Sequence, residues 1–112
     1  MGMGAFTRIS RILIEGKEEE TVLTAAQNAD KRITSFLEDH PSVKRLTIFH
    51  RADAAPIKRI LNQYRAQVII KTIENPGVAE LTEEVNSLVA GYQQEYGRQI
   101  SAGYEINPAS LA

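Results

Sequence analysis

Three short polar stretches hold the residues best suited to chemistry: Glu15-Gly16-Lys17, His50-Arg51-Ala52-Asp53 and Glu74-Asn75-Pro76-Gly77. A carboxylate beside an imidazole can work as an acid–base pair, and gathered carboxylates can hold a hydrated metal ion. Glu15, His50, Asp53 and Glu74 are one candidate loop site on this ground, provided the fold brings the stretches together. A plainer account stands beside it. Asp53 and Asn75 have side chains that cap helices, Pro76 suits a first helical position, and His50 ends a strand-like run. His40 adjoins Pro41 and reads as a loop residue; it lies ten residues from His50, without the i, i+4 spacing of a helical metal site.

Most catalytic signatures are absent. The chain has no cysteine, which removes disulfides, zinc–thiolate sites and cysteine nucleophiles. It contains no phosphate loop, no Gly-x-Gly-x-x-Gly and no Gly-x-Ser-x-Gly. No motif asks for a cofactor or a metal, and a small enzyme at the His50–Asp53 loop ranks behind two binding readings.

The formal net charge of −1 hides an uneven distribution. Residues 1–39 carry five Lys/Arg and seven Asp/Glu; residues 40–73 carry seven Lys/Arg against Asp53 alone; residues 74–112 carry Arg98 against six acids. Within the basic segment 44–71, Lys44, Arg45, Arg51, Lys58, Arg59 and Arg65 could hold phosphates or nucleic acid, with the salt dependence that counterion release brings. The interleaved aromatics of an RNA-binding sheet and a helix-turn-helix pairing are both missing, so a solvated charged face is the alternative.

The third candidate is the tyrosine-bearing end: Tyr92, Tyr96, Ile100, Tyr104 and Ile106, followed by "NPASLA". Tyr is enriched at interfaces, and a tail with alternating apolar residues resembles a donated strand or arm. The alternative is that Tyr92 and Tyr96 are core and the last residues fray.

The elements that must position these groups follow from apolar spacing. "RILIEG" (11–16) is apolar on both faces, as a central strand is. Residues 18–39 place Val22, Ala26, Ala29, Ile33 and Phe36 on one helical stripe, with Glu18, Glu19 and Glu20 in the first turn and Pro41 as the stop. "RLTIFH" (45–50) alternates as a second strand. A short helix over 54–65 is expected next, capped by Asp53, with Ile57, Ile60, Leu61 and Tyr64 on its apolar face. "AQVIIKTI" (66–73) is a third strand, and a helix over 77–96 carries Val78, Leu81, Val85, Leu88, Val89, Tyr92 and Tyr96, ending at Gly97. Residues 99–107 alternate with period two and supply a possible extra edge strand.

This β-α-β-α-β-α order predicts an α/β domain with a small, three-stranded, mainly parallel sheet of order 2-1-3. A chain of 112 residues suits one domain, read as 1–98, with 99–112 as a C-terminal arm or edge strand. No apolar run approaches the roughly 20 residues that span a bilayer. The opening "MGMGAFTRIS" lacks the apolar core of a signal peptide, and Gly2 fits a myristoylation pattern poorly, so a cytoplasmic protein is expected. The function expected first is non-catalytic binding or assembly, with self-association into a homodimer or higher homo-oligomer through the third helix and tail.

Overall fold

The computed structural model describes residues 6–108, so the readings of the "MGMG" opening and of the last tail residues lie outside it. The elements are β1 (Thr7–Gly16), α1 (Glu19–Asp39), α2 (Pro41–Lys44), β2 (Thr47–Ile60), β3 (Gln63–Ile73), a 3-10 turn (Pro76–Val78), α3 (Ala79–Tyr96) and β4 (Ile100–Ile106). Among the described residues the sheet has four strands in the order β2-β3-β1-β4. Every neighbouring pair is antiparallel. Strand–helix–hairpin–helix–strand in this order is the ferredoxin-like, split βαβ arrangement.

The expected three-stranded, mainly parallel sheet of order 2-1-3 is therefore wrong, and one segment is responsible. Residues 54–65 form no helix; they complete β2, turn at Leu61-Asn62 and start β3. Leu61 and Asn62 have φ of 52° and 63°, the left-handed pair of a two-residue hairpin turn. A turn that short can join only antiparallel strands, whereas parallel neighbours need a crossover. With the middle helix gone, β3 runs back between β1 and β2, and the remaining connections reverse the rest of the sheet. The expected helical stripe of Ile57, Ile60 and Leu61 found no surface to cover, and all three are exposed.

The core lies on one face of the sheet. Ile12 and Ile14 of β1 and Ala66, Val68 and Ile70 of β3 point to that face, where α1 brings Val22, Ala25, Ala26, Ala29 and Ile33 and α3 brings Leu81, Val85 and Leu88. Both helices thus form a single layer against the sheet. Gly16 lets β1 end tightly against the approach to β4: a Cβ there would fall 2.7 Å from the Gln99 carbonyl oxygen. Asn75 accepts a hydrogen bond from the Gly77 amide at 2.8 Å, with Pro76 next, so the start of the last helical region is capped as its residue types dictate. No helix among the described residues is long and apolar enough to cross a membrane.

Candidate functional site

Antiparallel pairing separates the expected loop site. Glu15 lies near the end of β1 on the face away from the helices, and Arg65 Nε donates to its carboxylate at 3.2 Å. Glu74 follows β3 at the opposite end of the sheet, exposed, its amide bonded to the Phe6 carbonyl at 2.8 Å. His50 stands opposite Ile70 and so faces the helices, where its Nδ1 donates to Asp30 of α1 at 2.6 Å. Asp53 stands opposite Gln67 on the other face and accepts from the adjacent Ala54 amide, at 2.8 Å. It caps no helix. The four groups do not converge.

The His50–Asp30 pair had no local signal in the sequence, because its members are twenty residues apart on different elements. It fixes the imidazole tautomer and ties β2 to α1. His40 is likewise structural: its Nδ1 donates to the Phe36 carbonyl at 2.8 Å, and its ring stacks on Phe36 at 4.0 Å. Among the described residues no group of three or more His, Asp or Glu is placed to hold a metal ion.

The basic segment is not one strip either. Lys44 pairs with Glu38 at 3.2 Å. Arg65 is buried, bound to Glu15 and, through Nη1, to the Ile57 carbonyl at 3.0 Å. Arg59 lies over the Tyr64 ring at 5.0 Å and donates to Asn62 at 3.3 Å. Arg45, Arg51 and Lys58 are exposed. Beside Arg65 on the helix-free face, Arg11 is also buried, donating to Gln67 at 3.1 Å and pairing with Glu105 at 3.3 Å. These two arginines stitch the central strands together.

At the tyrosine-bearing end, Tyr92 is buried and donates its hydroxyl to the Ala25 carbonyl at 2.7 Å. Burial first, then the nearby Tyr96 and Glu95, push its pKa up to about 12, against a smaller opposing effect of Arg32. Tyr96 meets it edge to face at 5.3 Å. Ile100 is buried, Tyr104 donates to Ser10 Oγ at 3.1 Å, and Ile106 is exposed.

What the fold does gather is an edge. β2 closes one side of the sheet, and no strand among the described residues pairs with its outer side. Of the seven large apolar side chains most open to solvent among the described residues, five belong to β2 and its turn: Ile48, Phe49, Ile57, Ile60 and Leu61. Between irregularities at Thr47/Phe49 and Ala54/Arg59, the strand runs in regular register from Phe49 to Ala54. A shallow groove lined by Leu23, Ala26, Gln27, Ala52, Asp53 and Ala54 follows it on the α1 side. Sequence reasoning missed this edge because it placed the second half of it in a helix.

No protein-family model matches the chain, and no curated protein matches it. Among solved structures it is similar to a hydantoinase/carbamoylase family amidase from Burkholderia ambifaria, at 10% identity and a TM-score of 0.58, over 89% of this chain and 27% of that one. It also overlaps a dinuclear metal binding peptidase of the M20 family from Bacillus subtilis, at 17% identity and a TM-score of 0.43, over 93% of this chain and 26% of that one. A third overlap is with an unknown protein from Galdieria sulphuraria, at 15% identity and a TM-score of 0.42, over 95% of this chain and 53% of that one. The chain spans about a quarter of the length of the first two. The likeness to the amidase is one of fold alone, and the looser overlaps add nothing to it.

Proposed function

We propose that this chain is a non-catalytic binding and assembly module that associates with further protein through the free edge of β2. One observation carries the reading: exposed apolar side chains concentrate on a strand whose outer side pairs with no other strand among the described residues. A long apolar edge invites pairing, and chains that stay apart blunt such edges with charge or cover. Among the described residues, the surface first expected, around the third helix and tail, is poorer in exposed apolar groups, because Tyr92 and Ile100 are in the core and Ile106 alone is well exposed. A cytoplasmic setting belongs to the same proposal and agrees with a chain free of cysteine.

Light scattering on the purified protein at low and high salt tests the reading. A species larger than a monomer at both salt concentrations is expected for edge pairing carried by backbone bonds and apolar contact. A monodisperse monomer at about 100 µM, where an interface of standard size persists, overturns it.

A further inference from the structure

We infer that the occupant of the β2 edge is β2 of a second copy of this chain, paired antiparallel about a two-fold axis at Ala52. This rests on the assembly reading above and names its partner and register.

The regular part of the edge is Phe49–Ala54. For two copies to join into one continuous sheet with their helices on the same side, residues facing each other must belong to the same face. Along β2, Phe49, Arg51 and Asp53 stand opposite Lys71, Ile69 and Gln67 on the helix-free face; His50, Ala52 and Ala54 stand opposite Ile70, Val68 and Ala66 on the core face. Same-face pairing therefore centres the two-fold axis on a residue, not between residues.

Charge then chooses the residue. Centred on Arg51, the pairing sets that guanidinium against its own copy; centred on Asp53, it sets carboxylate against carboxylate. Like charges directly opposite are destabilising, and opposite charges stabilise. Centred on Ala52, Arg51 faces Asp53 of the partner subunit and Asp53 faces Arg51 of the partner subunit, giving two equivalent ion pairs. Axes nearer the ends leave too short a regular overlap. Arg51 is half-buried and Asp53 exposed, and the Asp53 carboxylate, which takes the Ala54 amide on Oδ1, keeps Oδ2 for a guanidinium across the edge. On the core face, Ala52 meets its own copy and His50 meets Ala54, the two alanines lying beside the groove along α1. A closed isologous dimer results, with an eight-stranded sheet.

Sedimentation velocity with charge-swapped variants tests both partner and register. Wild type should sediment as a dimer at about 100 µM, a concentration suited to an interface of standard size. Arg51→Asp and Asp53→Arg should each shift it to monomer with an unchanged circular dichroism spectrum. Their equimolar mixture should recover a dimer, since every facing pair is then opposite in sign, as should the double variant carrying both changes. A second measurement uses the absence of native cysteine: Ala52→Cys should oxidise to a covalent dimer much faster than Lys58→Cys, because only the first lies on the axis within disulfide reach. A wild-type dimer that survives both single swaps, or a mixture that stays monomeric, overturns the register while leaving assembly standing. A monomeric wild type overturns both.

Discussion

At the scale of single residues, the polar groups that first suggested chemistry divide by what they touch. Asp53, expected to cap a helix, sits exposed in a strand and accepts from its neighbour's amide. Asp53→Ala should therefore change monomer stability by less than about 0.5 kcal/mol, the range of ordinary surface changes. Asp30→Ala should cost more, about 1 kcal/mol, because it leaves half-buried His50 without its acceptor. Urea denaturation at a concentration dilute enough to exclude association separates the two; equal effects would contradict the placement. Tyr92 gives a prediction in pH. Its pKa is pushed up to about 12 in the folded chain, against a reference value of about 10 for unfolded Tyr. The stability linked to its neutral form is fully present below about pH 10 and is lost as pH rises towards about 12, by roughly 2–3 kcal/mol. Tyr92→Phe should cost about 1 kcal/mol at neutral pH through the lost bond to Ala25 and should weaken the alkaline loss. Unfolding curves at stepped pH check both.

At the scale of elements, legibility followed the strength of the local pattern. The α1 stripe of Val22, Ala26, Ala29 and Ile33 is buried as its spacing demands, and Asn75-Pro76 opens a helical region as their side-chain chemistry demands. Residues 54–65 misled because Ile57, Ile60, Leu61 and Tyr64 fit a helical period over too short a span to exclude a strand. The turn was hard to see because Leu61 occupies a position usually given to Asn or Gly. That misfit is testable. Leu61 is 91% exposed, so little packing is lost by changing it. Leu61→Asn should stabilise the hairpin by about 0.5–1 kcal/mol by relieving left-handed backbone strain. In a helix the same change would cost a few tenths of a kcal/mol, about the difference between the two propensities. The midpoint of thermal unfolding gives the sign. The candidate site was illegible for the same reason, since Arg51, Ala52 and Asp53 become an edge only once the hairpin exists.

At the scale of the whole molecule, the sheet order decides what the tail is. β4 pairs with β1 from Ser10↔Ile106 to Gly16↔Ile100 and buries Ile100 and Ala102 against the core. Removing everything after Gly97 would uncover the β4-facing edge of β1, whose Ile12 and Ile14 are fully buried, and open the core beside α3. Loss of one buried Ile side chain costs about 2–5 kcal/mol, and the backbone bonds to β1 and the packing of Ala102 and Tyr104 add to it. A domain of this size holds about 5–15 kcal/mol in total, so the loss consumes a large share of its stability. Truncation after Gly97 should therefore abolish or sharply weaken cooperative unfolding, with β1 amides exchanging fast, instead of releasing a folded monomer. Substitutions on the β2 edge should do the reverse, dissociating the assembly while each subunit keeps its unfolding transition. Hydrogen exchange on both variants separates the outcomes, and a truncated chain with fully protected β1 amides would show β4 to be dispensable to the fold.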